Sequence, residues 1–371
     1  MLNGMVSIVI APDSFKGTAT AEEAALYLGE GVRSIIRDAE ITLAPMADGG
    51  EGTAATFEGE KLTLQTTDAA GRLSEASYVF DAAEKTAYID IAAASGLPAV
   101  ADRRVPLTGD TYGTGVLIAD AQSRGAQRIV LCLGGSATID AGTGILTALG
   151  AITSNAAGYA LRPGGGALGE LASIDTAQLN IPAAAVEWVL LTDVTSPVVG
   201  PEGAATVFGP QKGASAEDIA LLDAALLHVC DILEVDPTTP GYGAAGAVPV
   251  AIHWLSRLLH GDDSHVHVLP GAPLVANALQ LDELIPRANL VITGEGAFDQ
   301  QSLTGKVVGT IADLVADTAA VLAITAGRID SDPGEGVIAI ELGKSQDVAT
   351  QLYDAGVQIA TAYLRISTDQ G

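Results

Sequence analysis

A chain of 371 residues with 48% hydrophobic and only 17% charged residues is too apolar for disorder and long for one core, so two domains are expected. The 45 Asp and Glu against 18 Lys and Arg, a formal charge of −27, argue against nucleic acid or an anionic membrane as partner. No apolar stretch reaches transmembrane length and no export signal opens the chain, so a cytoplasmic protein is expected. In chain order, "VSIVIAPDSFKG" (6–17) precedes a helix over about 20–37, and "ITLAPMADGGEG" (41–52) precedes one over about 51–58. "RIVLCLGGSATIDAG" (128–142) leads into a helix over about 142–150, and "EWVLLTDVTSP" (187–197) into a loop. "NLVITGEGAFD" (289–299) and "VLAITAGRID" (321–330) each close an apolar run. "GVIAIELGKS" (336–345) precedes a last helix over about 346–364.

Apolar runs alternating with helices signal a parallel sheet in an α/β protein. Two stretches depart from that pattern. Residues 61–98 read as antiparallel strands with a Gly turn and a Gly-terminated helix, and 155–175 as a Gly-rich excursion. The expected organisation is an α/β domain built from both chain ends, 1–66 and 285–371. A second, mixed-sheet α/β domain, 67–284, is inserted between them, with the active site in the cleft between the two. Unusual residues gather at the C-terminal ends of the strands, the edge where open α/β sheets bind ligands.

Cys132 and Cys230 are far apart and each sits in an apolar run, which predicts buried reduced thiols rather than a disulfide. His265-x-His267 has no Cys or carboxylate cluster to complete a zinc site. Six lysines are present, and four of them, Lys16, Lys212, Lys306 and Lys344, adjoin a glycine. As a set these suggest anion sites. Neither Gly-Lys candidate is a Walker A loop, however. Before Gly305-Lys306 the first-glycine position holds Gln300 and the following residue is Val307. Before Gly343-Lys344-Ser345 that position holds Ile338.

Several longer motifs carry a resemblance. "IVIAPDSFKGTATAEEAA", "PMADGGEGT", "TYGTGVLI", "LGGSATIDAGTGILTALG", "LTDVTSPVVGPEGAATVFGPQKGA" and "VITGEGAFDQQSLTGKV" resemble, in the same order, the type I glycerate kinases. The resemblance runs from about residue 8 to the mid-330s. It implies a flavodoxin-like domain with a second domain inserted, and ATP-dependent phosphorylation of D-glycerate with Mg2+ at the 2-hydroxyl. Three positions depart from the family pattern: Ile139 stands for Asn, Ala141 for Gly and Ala297 for Arg. They bear on which hydroxy acid is preferred. A related hydroxy acid as acceptor, a 3-phosphoglycerate product, and a non-catalytic ligand-binding protein are the alternatives, and a homo-oligomer is an open expectation.

Phosphoryl transfer needs held phosphates, a divalent ion, cations and an in-line hydroxyl, with little covalent chemistry. In "PDSFKG", helix capping by Ser14 or Thr18 with Glu22 and Glu23 in the first turn accounts for Thr18. It leaves Asp13 and Lys16 to contact a phosphate or the substrate carboxylate, with Ser14 beside them. In "ADGGEGT", Asp48 and Glu51 flank two glycines. Either they shape a tight turn, or they meet Mg2+ or a hydroxyl, Glu51 as metal ligand and Asp48 in catalysis. Gly134, Gly135, Ser136 and Thr138 are expected to lead into a helix and form an anion site for the nucleotide phosphates. Asp140 is either a ligand or the helix cap. Asp193 is a candidate general base or metal ligand, with an Asx-turn as competing explanation. Lys212 in "FGPQKG" either binds carboxylate or phosphate or is a surface lysine. The last motif supplies Gly294, Glu295, Gly296 and Lys306 for phosphate, and Asp299 and Gln301 for substrate. Lys306 near a helix start opposes the helix dipole unless an anion sits there.

Overall fold

The computed structural model describes residues 5–15, 17–303, 306–343 and 347–369. In chain order the strands are β1 (Ser7–Ile10), β2 (Glu40–Leu43), β3 (Glu60–Thr67), β4 (Leu73–Asp81), β5 (Thr86–Asp90), β6 (Arg128–Cys132) and β7 (Ile152–Ser154). They continue with β8 (Ser173–Asp175), β9 (Glu187–Leu191), β10 (Val266–Leu269), β11 (Leu290–Glu295), β12 (Val321–Ala326) and β13 (Ile338–Glu341). The chain divides into two compact units, residues 1–48 with 270–371, and residues 49–269. The sequence placed these boundaries later, at 66/67 and 284/285. The first moves because β3 pairs along its whole length with β4 inside the second unit.

The first unit holds a five-stranded sheet ordered β2-β1-β11-β12-β13, in which every neighbouring pair is parallel. Counted within the unit this is order 2-1-3-4-5, the doubly wound flavodoxin-like arrangement. Its inner strands are apolar on both faces because helices cover both: Val308 of helix Val307–Ala316 packs with Ile324 and Ala326 of β12, and two other helices share the opposite face. Ile8, Ile10, Leu290 and Ile292 pack with Leu28 and Val32 of helix Ala21–Ile35 and with Leu352 and Ile359 of helix Val348–Asp369. Helix Ala21–Ile35 is capped by Thr20, not by Ser14 or Thr18. The Thr20 side chain accepts from Glu23 N–H at 3.1 Å, and Glu23 accepts from Thr20 N–H at 2.9 Å. This capping box was legible as Thr-x-x-Glu. Thr18 instead donates its hydroxyl to Phe15 O at 2.7 Å.

The second unit is a six-stranded mixed sheet ordered β10-β9-β6-β5-β4-β3. The strands from β10 to β5 run parallel, and β4 is antiparallel to both β5 and β3. The expected antiparallel segment over 61–98 is therefore present, ending in the short helix Ile91–Ser95 before Gly96. The Gly-rich excursion forms the two-stranded β7-β8 ribbon and a 3-10 segment, Gly165–Glu170. Trp188, Ile89, Ile129 and Leu131 centre the core, all fully buried. The helix expected at about 51–58 is only a 3-10 turn, Thr53–Thr56. Asp90 at the end of β5 organises that turn by accepting from Gly52 N–H and Ala54 N–H, both at 2.9 Å.

Candidate active site

In order 2-1-3-4-5 the connections from β1 and β11 leave in opposite directions, opening a crevice at their C-terminal ends. Asp13 follows β1 and Glu295 ends β11, so both lie at that switch point. Asp13 N–H donates to Gly294 O at 2.8 Å, and the Thr293 hydroxyl donates to Ala11 O at 2.9 Å. These bonds tie the two strand ends together. Asp13, Asp48 and Glu295 are all buried. One oxygen of Glu295, Oε1, has no hydrogen-bond partner among the described residues. Burial pushes the Glu295 carboxyl up, with Asp299 and Asp48 adding to the shift, while Ser302 and Lys306 oppose it.

Lys306 is the N-cap residue of helix Val307–Ala316, as its sequence position suggested, and the anion within its electrostatic reach is Glu295. Asp299 turns back on its own chain, accepting from Gln301 N–H at 2.8 Å and Ser302 N–H at 3.3 Å. Gln301 is exposed, and Ser14 is half-buried with its N–H on Asp13 Oδ1 at 2.6 Å. Gly294 has a conformation open to any residue. A Cβ there would lie 2.3 Å from Thr325 O, so its role is close approach of β11 and β12. Gly296 is exposed, and Ala297 is half-buried. Lys16 and Lys344 lie outside the described residues.

In the second unit the loop after β6 carries Gly134–Thr138. Leu133 N–H donates to Leu191 O at 3.0 Å, which holds this loop beside the end of β9, where half-buried Asp193 stands. A Cβ on Gly134 would lie 2.4 Å from Gly50 Cα, so glycine is needed for the two loops to meet. Glu51, next to Gly50, is exposed. Gly134–Thr138 lead into helix Thr143–Ala148, close to the expected 142–150, but the helix begins five residues beyond Thr138, so the loop is not its N-terminus. Its N-terminal donors are already taken. Asp140, fully buried, accepts from Gly142 N–H at 3.3 Å and Gly144 N–H at 3.0 Å. It also accepts from Thr111 N–H at 2.9 Å and Thr111 Oγ1 at 2.8 Å. Asp140 is therefore an internal anchor, and the N–H groups it holds at that helix start are not open to a nucleotide phosphate.

Lys212 is no surface lysine. It is 3% exposed and donates to Ser136 Oγ at 2.9 Å and Thr138 O at 2.8 Å. Burial lowers its ammonium to about 7, against a smaller upward pull from Asp140. The structure thus brings Lys212, Ser136 and Thr138 together, with Asp193 on the adjacent strand end. Sequence reasoning missed Asp90. Its only signal was an acid closing the strand "TAYID", and burial raises its carboxyl against the two turn N–H groups that lower it.

The pattern described as "Glycerate kinase family" matches residues 8–361. The chain is 41% identical over 313 residues to a protein named "Glycerate kinase" from Halalkalibacterium halodurans, covering 81% of this chain and 80% of that one. It is 40% identical over 339 residues to "Glycerate 2-kinase" from Escherichia coli K12, covering 89% and 87%. A crystal structure of a protein from Salmonella typhimurium LT2 superposes with a TM-score of 0.79 at 34% identity, covering 99% of this chain and 98% of that one. With the pattern spanning both units and the relatives aligned over most of their length, the chain belongs to the glycerate kinase family.

Proposed function

We propose that the protein transfers the γ-phosphoryl group of ATP to the 2-hydroxyl of D-glycerate, giving 2-phosphoglycerate and ADP. The observation that carries this reading is the match of 40% over 89% of the chain to a protein named for 2-kinase activity. The strand-end motifs support it. The hydroxyl oxygen attacks the γ-phosphorus, the bond to the ADP oxygen breaks, and the hydroxyl proton passes to a carboxylate. Asp193 is the proposed base, half-buried at the end of β9. Lys212 spends two of its three protons on Ser136 and Thr138, which leaves one for an anionic oxygen of substrate or nucleotide. Asp13, Asp48 and Glu295 supply the acidic end of the β1–β11 crevice, with Lys16, Lys306 and Gly296 proposed for the phosphates.

Mg2+ is bound by one or two carboxylates plus substrate phosphates, so it does not need a cluster of three acids, and none occurs among the described residues. The donors of each unit suit such an ion: in the first, Glu295 offers a buried oxygen without a partner, and in the second, Glu51 is a proposed ligand, with Asp193 kept for the proton. When bound, the ion would offset charge on the transferring phosphoryl group. The buried free thiols Cys132 and Cys230 support a reducing, cytoplasmic setting.

The test is ADP release from Mg-ATP with D-glycerate, against L-glycerate, tartronate and lactate, followed by phosphorus NMR of the product. Turnover on D-glycerate with a 2-phosphate product is expected, and no turnover on any acid overturns the assignment. Asp193→Asn should lower turnover by roughly a hundredfold, on the order of losing one transition-state group. A near-normal rate would remove Asp193 from the chemistry.

A further inference from the structure

A cavity of about 310 Å3 lies in the second unit, and none of the residues assigned above to phosphoryl transfer lines it. Its wall includes Thr67, Asp110, Tyr112, Thr143, Thr147 and Arg162. We propose that this cavity is a separate binding site for a small hydroxylated anion, a polyol chain carrying one carboxylate or phosphate.

The chemistry of the wall selects that class. Thr143 donates its hydroxyl to Asp140 O at 2.8 Å, and Thr147 donates to Thr143 O at 2.9 Å. With those protons used, both hydroxyls present only lone pairs to a ligand. Asp110 accepts from Tyr112 N–H at 3.1 Å and forms no ion pair among the described residues. Burial and the neighbouring charge of Asp140 push its carboxyl up to about 6, so a donor placed against it would be welcome. The interior is therefore rich in acceptors and calls for a ligand rich in hydroxyl donors. Arg162 is exposed and forms no ion pair among the described residues, in a chain where 45 acids compete for 18 bases. Its loop is held by Leu161 N–H donating to Thr153 O at 2.9 Å. A guanidinium at the wall matches one carboxylate or phosphate. A bare anion lacks donors for Asp110, and an uncharged polyol leaves Arg162 unused.

Calorimetric titration of the full-length protein without nucleotide tests this, with gluconate and 6-phosphogluconate as probes and glycerol and inorganic phosphate as controls. At least one hydroxylated anion should bind saturably and the controls should not. Arg162→Ala, on an exposed residue, should weaken binding at least tenfold, and Asp110→Asn severalfold, with thermal melts confirming that both variants fold. Absence of saturable binding, or binding unchanged in both variants, overturns the proposal. Because no ATP or turnover is involved, the result is independent of the kinase assignment.

Discussion

Replacing Asp140 by Ala should lower the unfolding free energy by about 3–5 kcal/mol, the cost of leaving buried donors without their anionic partner. The carboxylate accepts from Thr111 N–H and Oγ1, Gly142 N–H and Gly144 N–H, and none of these can turn to solvent in a fully buried environment. Thr111 stands at the N-cap position of helix Tyr112–Ser123, and Gly144 belongs to the first turn of helix Thr143–Ala148, so one side chain ties two helix starts together. Asp140→Asn keeps an acceptor oxygen and removes the buried charge, so it should cost less than Ala. Burial raises the Asp140 carboxyl, and its hydrogen bonds act against that rise. Urea unfolding at neutral pH measures both variants. A loss below about 1 kcal/mol for Ala would show that water replaces the carboxylate.

Lys212 should act in opposite senses on stability and on catalysis. Its folded-state ammonium is lowered to about 7, while an unfolded lysine stays protonated to about 10.4. Between those values the unfolded chain binds more protons, so the lysine's contribution makes stability rise with pH across that window. Below about 7 the penalty for the buried charge is fully present. Lys212→Met should abolish this pH slope. The proposed role in phosphoryl transfer uses the charged form, so kcat/KM, which reports the free enzyme, should fall as pH rises above about 7. An anion bound beside the ammonium raises its pKa, so the matching limb in kcat should lie at higher pH. Turnover in Lys212→Met should drop by about a hundredfold or more. A flat kcat/KM profile from pH 6 to 9, or near-normal turnover in the Met variant, would remove Lys212 from phosphoryl transfer.

Sequence and structure agree most closely where the signal is local. The strand-helix alternation, the antiparallel insertion at 61–98 and Lys306 at a helix start were all legible, because period and turn residues act over a few neighbours. Lys212 illustrates the opposite case. A lysine between Gln211 and Gly213 looks like surface, and only contacts with Ser136 and Thr138, 76 and 74 residues away, show it buried. Asp140 was divided between ligand and cap because its partner Thr111 lies 29 residues upstream. The expected helix after Gly134–Thr138 is present at Thr143–Ala148, but the Gly-Gly loop does not itself start it. A Gly-Gly followed by small polar residues also suits a loop that packs tightly against another loop, here at Gly50.

By itself the sequence determined the α/β class, the two-unit composition with an insertion, and the family, through long motifs whose order survives along the chain. Tertiary structure alone decided the strand order that puts Asp13 and Glu295 at the β1–β11 switch point. It also decided which polar groups are buried and in whose company. The physical reason is range. Backbone periodicity is written in adjacent residues, whereas burial, pKa and hydrogen-bond partnership are set by groups that meet only after the strands take their places.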